Sequence, residues 1–85
     1  MKVNVYYTNY NKTHDYALES FYRGIPDDIE SEYRHVGDYS PSDVAVVFGT
    51  FKKLVPISFA RGNVIRMQKR AGKRTIIIDS GHVRS

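Results

Sequence analysis

The chain has 85 residues, no cysteine and a formal net charge of +4. We expect one domain, spanning residues 1–85, and the lack of cysteine excludes disulfides, a thiolate nucleophile and a cysteine-ligated metal. No apolar run approaches the roughly 20 residues of a membrane span, and the start of the chain lacks the apolar core of a signal peptide. We therefore expect a cytoplasmic protein that makes no contact with a membrane.

The first half of the sequence predicts a strand, a helix and a weaker strand. Residues 2–8, "KVNVYYT", alternate in the manner of a strand with one face more buried than the other. Asn11 or Thr13 can cap a helix that runs through "HDYALESFYR", because a side-chain oxygen there can accept from a free amide of the first turn. The polar segment that follows predicts only a short edge strand over residues 33–36.

The second half predicts a buried strand, a basic helix and another buried strand. Residues 43–49 contain the unbroken apolar run "VAVVF", which is typical of a strand covered on both faces. A helix over residues 63–71 would bury Val64, Met67 and Ala71, with Gly72 as its carboxyl-terminal cap. The segment "TIIID" then predicts the last strand, which ends at Asp79.

This order of elements predicts an α/β fold. Strands that alternate with helices imply crossover connections, a parallel sheet and helices packed on its faces. We expect a small, mostly parallel sheet of about four strands with two helices, equivalent to half of a Rossmann-like, doubly wound domain.

Three loops should meet where such a sheet binds its ligands, beyond the carboxyl ends of the strands. They follow the first, third and last predicted strands, and glycines in two of them would let the backbone approach a ligand closely. The residues of this predicted cleft are Thr8, Asn9, Gly49, Thr50, Asp79, Ser80, Gly81 and His82.

No recognised catalytic pattern accompanies these loops. The sequence after Gly49 lacks the spacing of a phosphate-binding P-loop, and no G-x-G-x-x-G opens a helix. The three histidines are scattered, and Ser80 has no nucleophile-elbow context. We therefore predict no catalytic residue, no metal site and no cofactor.

The charge is distributed unevenly along the chain. Residues 1–42 carry four basic and seven acidic side chains, whereas residues 43–85 carry nine basic and two acidic ones. This asymmetry favours a polyanionic partner, either DNA or a nucleotide phosphate, although a basic helix face that is merely solvated explains it equally well. The candidate phosphate-binding residues are Lys52, Lys53, Arg61, Arg66, Lys69, Arg70, Lys73 and Arg74.

All seven tyrosines lie in the acidic half, between Tyr6 and Tyr39. Single-strand binders usually place aromatic rings among their basic residues, so this separation lowers the case for single-stranded nucleic acid. The tyrosines favour instead either packing at the edge of the core or a protein interface. Such an interface would hold a host protein or a second copy of the chain in a homodimer.

Residues 41–83 resemble phage-encoded glycosyltransferase-like proteins, some of them linked to DNA modification. The similarity lies in the strand "DVAVVFG", the loop "TFKK", the helix segment "RGNVIRMQ" and the strand "IIID" with its following "SG". It implies the cytoplasm of an infected bacterial host and a cleft that includes Gly49, Lys52, Lys53, Arg61, Gly62 and Gly81. It covers only the amino-terminal α/β portion of those proteins, which continue into the region that completes the enzyme.

Three functions agree with these observations. We predict a non-catalytic, phage-type binding module whose basic face engages DNA or a phosphate-rich ligand. The first alternative is a fragment or subunit of a nucleotide-sugar-dependent glycosyltransferase. The second is a phage inhibitor that binds a host protein during host takeover.

Overall fold

A computed structural model describes residues 1–49, 56–79 and 82–84. Over these ranges the chain forms five strands and two helices, and each helix connects one strand to the next. They are β1 (Lys2–Tyr7), α1 (Lys12–Arg23), β2 (Glu30–His35), β3 (Val44–Phe48), α2 (Pro56–Arg70), β4 (Arg74–Asp79) and β5 (His82–Arg84). None of the described helices combines the length and the apolar character needed to cross a membrane.

The strands form one sheet in the order β2-β1-β3-β4-β5. The first four of these strands are parallel, which confirms the predicted α/β fold. β5 pairs antiparallel with β4, with Asp79 opposite His82. This strand was not predicted from the sequence, because three residues carry too little periodicity to be recognised.

The direction of winding changes between β1 and β3. From β1 the chain crosses to β2 on one side, and from β3 it crosses to β4 on the other, although β1 and β3 are neighbours. Their register pairs Val3 with Val44 and Val5 with Val46. The loops that follow these two strands therefore begin side by side, at the switch point where parallel sheets commonly bind ligands.

The sheet carries a core on each face. Val46 and Phe48 of β3 lie in the core that α1 covers, whereas Ala45 and Val47 lie in the core that α2 covers. All four side chains are less than 10% exposed. The unbroken apolar run of β3 is explained by this burial on two faces, as predicted.

The sequence contains two candidate capping residues for α1, Asn11 and Thr13. The side-chain oxygen of Asn11 accepts from the backbone amides of Thr13 at 2.9 Å and His14 at 3.2 Å. Asn11 is therefore the cap, and Thr13 belongs to the first turn. Leu18 is fully buried against the sheet and anchors the helix on its face.

β2 is longer than predicted and begins at Glu30 instead of residue 33. It pairs along its whole length with β1, from Lys2 and Glu30 to Tyr7 and His35. The Lys2 ammonium lies 2.7 Å from the Glu32 carboxylate, which also pairs with Arg34 at 3.1 Å. Charged side chains are common on edge strands. Because they interrupt the alternation of apolar residues, the sequence predicted only part of this strand.

α2 begins at Pro56, seven residues earlier than predicted, and it buries a different face. Val64 and Gln68 are fully buried, whereas Met67 is 37% exposed and Ala71 is exposed. The predicted inward positions of Met67 and Ala71 were wrong because a polar residue, Gln68, occupies the core position. Gly72 ends the helix with φ of 71°, as its predicted capping role requires.

Candidate functional site

The loop after β1 is organised by the carboxylate of Asp15. Its Oδ1 accepts from the Thr8 amide at 2.7 Å and from the Thr8 hydroxyl at 3.0 Å. Its Oδ2 accepts from the Asn9 amide at 2.7 Å. Asp15 reaches these groups because Asn11 starts α1 only four residues earlier, so that the first turn lies over the end of β1.

Two of the predicted cleft residues, Thr8 and Asn9, therefore already hold an anion. Asn9 has φ of 58°, in the left-handed region, and this conformation turns consecutive amides toward the same side. Such concave sets of amides are what phosphate groups bind in other proteins. Here the carboxylate of Asp15 fills that position, so the loop presents these two amides to its own helix.

His14 lies on the other side of the first turn, against the end of β3. Its ring stacks on Phe48 with a centroid separation of 3.8 Å and an interplanar angle of 14°. Burial lowers the pKa of this imidazole, and the neighbouring Asp15 raises it by less. The stack fixes α1 at the switch point. It was not predictable from local sequence patterns, because the two rings are 34 positions apart.

Of the remaining predicted cleft residues, the structure describes three. The Gly49 amide donates to the Ile78 carbonyl at 2.8 Å, which extends the pairing of β3 with β4. Asp79 and His82 are register partners in the antiparallel pairing of β4 with β5. Thr50, Ser80 and Gly81 lie outside the described residues, as do Lys52 and Lys53.

The basic residues of α2 do not form a single stripe. α2 runs back from the carboxyl end of β3 to the amino end of β4. Its last turn therefore lies at the amino ends of the strands, whereas the cleft loops lie at the carboxyl ends. Four of the described cations are exposed at the amino ends of the strands: Lys69, Arg70, Lys73 and Arg74. Arg61 is half-buried and shares the inward side of α2 with Val64 and Gln68, three and seven positions further on.

One of these cations is neutralised within the chain. The Lys73 ammonium lies 3.2 Å from Oδ1 of Asp43, whose Oδ2 accepts from the Lys2 amide at 2.7 Å. The Lys2 amide contributes most to lowering the pKa of Asp43, and the Lys73 bond and charge lower it further. Lys73 is therefore part of the connection between the amino ends of β1, β3 and β4.

The other exposed cations keep their charge available to a partner. Arg66 donates to the neutral Asn63 side chain at 3.0 Å. Among the described residues, no carboxylate lies within ion-pair distance of Arg66, Lys69, Arg70 or Arg74. These four residues, which we call the basic patch, occupy the outer side of α2 and the start of β4.

A groove of about 530 Å³ lies beside α1 on the other face of the sheet. Its floor is a pair of rings, Tyr7 and Tyr33, with centroids 4.7 Å apart. The side chains that line it are Tyr7, Asn9, Tyr10, Lys12, Asp15, Tyr16, Glu19 and Tyr33. We call it the tyrosine groove. The tyrosines form a group already in the sequence, whereas the carboxylates that α1 brings beside them are evident only in the fold.

The described residues contain no group of three or more histidine, aspartate or glutamate side chains able to hold a metal ion. Comparison of the chain with protein-family models, with curated proteins and with solved structures gave no match. The resemblance to phage glycosyltransferase-like proteins therefore stays a prediction, and the function has to be inferred from the two surfaces described above.

Proposed function

We propose that the protein is a non-catalytic module that binds the phosphate backbone of DNA through the basic patch, in the cytoplasm of an infected bacterial host. The observation that carries the proposal is the lack of ion-pair partners: among the described residues, no carboxylate neutralises Arg66, Lys69, Arg70 or Arg74. Lys2, Arg23 and Lys73, in contrast, pair with carboxylates of the same chain.

The arrangement of the patch suits a regular polyanion. Arg66 and Arg70 lie one helical turn apart, about 6 Å along the axis of α2, and Lys69 lies beside them. Guanidinium groups bind phosphate oxygens through two donors at once, and such contacts position a protein without reading the base sequence. We therefore expect binding that depends strongly on salt and weakly on sequence.

The glycosyltransferase alternative has less support. It requires the loops at the switch point to hold the phosphates of a nucleotide-sugar, yet Asp15 already takes the amides of Thr8 and Asn9. A phosphate would have to displace a carboxylate that accepts three hydrogen bonds. The basic patch, in contrast, lies on the surface with its charge uncompensated by the described residues.

The test is the affinity for a labelled 20-base-pair duplex at 50 and 200 mM KCl, measured by fluorescence anisotropy. Counterion release predicts a log–log salt slope of about −3 for three or four phosphate contacts. The double variant R66E/R70E should bind at least tenfold more weakly. The control K12E/R23E makes the same change in net charge on α1 and should lose much less.

Two results would contradict the proposal. One is the absence of binding by the folded wild type at 50 mM KCl. The other is an equal loss in R66E/R70E and K12E/R23E, which would show that only net charge matters. Circular dichroism of each variant establishes that it is folded before the affinities are compared.

A further inference from the structure

The tyrosine groove lies on the α1 face of the sheet, away from the basic patch, and the proposed DNA binding does not use it. We propose that it is a binding site for an arginine side chain of a partner protein. In this site the guanidinium stacks on the exposed rings of Tyr10 and Tyr16 and pairs with the carboxylate of Glu19.

The aromatic part of the site is unusually open. Tyr16 is 72% exposed and Tyr10 is 56% exposed, so a large part of each side chain is accessible to a ligand. Tyr7 and Tyr33, whose rings are tilted by 37° to each other, form the aromatic floor of the groove. A cation over such rings is attracted by their electron-rich faces, and arginine makes this contact more often than lysine.

The acidic part of the site already engages a guanidinium of the same chain. Asp15 and Glu19 are four residues apart and line the same groove. Oε1 of Glu19 accepts from Nη2 of Arg23 at 3.0 Å, and the Arg23 side chain is 76% exposed. Exposed pairs of this kind are weak, so an incoming arginine held by the rings can replace Arg23.

The sign of the local potential agrees with a cationic ligand. The pKa of Tyr33 is raised to about 12, mainly by burial and further by the negative charges of Asp15 and Glu19. The same field that disfavours a tyrosinate favours a cation in the groove. Among the described residues that line the groove, Lys12 is the one cation, and it opposes binding.

Planarity distinguishes arginine from the other cationic side chain. A guanidinium can stack on a ring and still donate in its plane to a carboxylate, whereas an ammonium is a compact and strongly hydrated charge. An uncharged ligand such as a sugar would stack on the same rings without responding to Glu19 or Lys12 as a charge. The charges of the groove therefore favour arginine.

The experiment uses three blocked peptides, Ac-GRGRG-NH₂ and its lysine and citrulline counterparts, titrated into the ¹⁵N-labelled protein and followed by NMR chemical shifts. The arginine peptide should shift the amides of Tyr10, Tyr16 and Glu19 and should bind at least fivefold more tightly than citrulline. Y16A and E19Q should each weaken it at least fivefold. K12Q should strengthen it, and F59A, a change of an exposed ring on α2, should leave it unchanged.

Equal binding of the citrulline peptide would overturn the proposal, and so would a loss of affinity in K12Q or shifts that map outside the groove. An equal affinity for the lysine peptide would also overturn it, because stacking of a planar group would then have no part. R66E/R70E should bind the arginine peptide like the wild type. A failure of the DNA proposal and a failure of this one therefore give different results.

Discussion

The hydroxyl of Tyr39 donates to Oε1 of Gln68 at 2.6 Å, across 29 positions of the chain. The same buried amide donates through Nε2 to the carbonyls of Ser42 and Arg74, both at 3.0 Å. Gln68 thereby joins α2 to the segment before β3 and to the first residue of β4. The carbonyl and amide of this side chain are both satisfied, which is the condition for a polar residue in a core.

Tyr39→Phe should destabilise the protein because Oε1 of Gln68 would lose its donor in a buried site. The cost of such an unpaired group is about 1–3 kcal/mol. Each kcal/mol corresponds to a fall in Tm of about 4–8 °C for a domain of this size. Gln68→Ala should cost more, since it also leaves two carbonyls without donors and opens a cavity. Tyr16→Phe, at an exposed tyrosine, is the control in thermal unfolding and should match the wild type.

Asp15→Ala should also destabilise the fold, through the loop after β1. The Thr8 and Asn9 amides and the Thr8 hydroxyl would lose a charged acceptor, and Thr8 is only 3% exposed. Hydrogen bonds to charged groups are worth about 1.5–3 kcal/mol each, so the loss should exceed 2 kcal/mol. Urea unfolding measures it, with the exposed Asp28→Asn as control. A midpoint unchanged from the wild type would show that water replaces the carboxylate at no cost.

Two glycines should respond to alanine in opposite directions. Gly62 lies inside α2 with open space around an added Cβ, so Gly62→Ala should stabilise the protein by about 0.5–1 kcal/mol. Gly72 also has open space, but its φ is 71°, and Gly72→Ala should cost about 1–2 kcal/mol of backbone strain. The pair can be compared in one series of urea denaturations. Shifts of the same sign would contradict the assigned helix boundary.

Stability should fall as the pH drops from 7.5 to 5, in part through His14. Burial lowers the pKa of this imidazole below its usual 6.5, so the unfolded chain takes up a proton that the folded chain resists. The contribution is present above the unfolded pKa and is lost as the pH falls toward the folded pKa. His14→Gln should flatten the dependence of the urea midpoint on pH over this range. An equally steep dependence in the variant would assign the effect to other groups.

The alternation of strands and helices was readable in the sequence wherever burial leaves a simple pattern. β3 is covered on both faces and is therefore apolar throughout. β1 alternates in sequence, but the prediction that one of its faces is more buried was wrong, because Asn4 and Tyr6 are as fully buried as Val5. β2 was only partly recognised because its side chains are charged and it lies at an edge. The predicted inward face of α2 was wrong because Gln68 is polar. Its buried position is stabilised by hydrogen bonds, which a hydropathy pattern does not reveal.

The candidate site, like the fold, was predictable from the sequence only in part. Composition alone located the excess of positive charge after residue 43. Among the described residues, the tertiary structure distinguishes Lys73, which pairs with Asp43, from the basic patch, which no carboxylate neutralises. The tyrosine groove depends on α1 bringing Asp15 and Glu19 beside rings from β1 and β2. The sequence by itself determined the type of every element except β5, since these types follow from local periodicity. Only the fold decided which charges are neutralised and which groups meet, because these depend on distances between residues far apart in the chain.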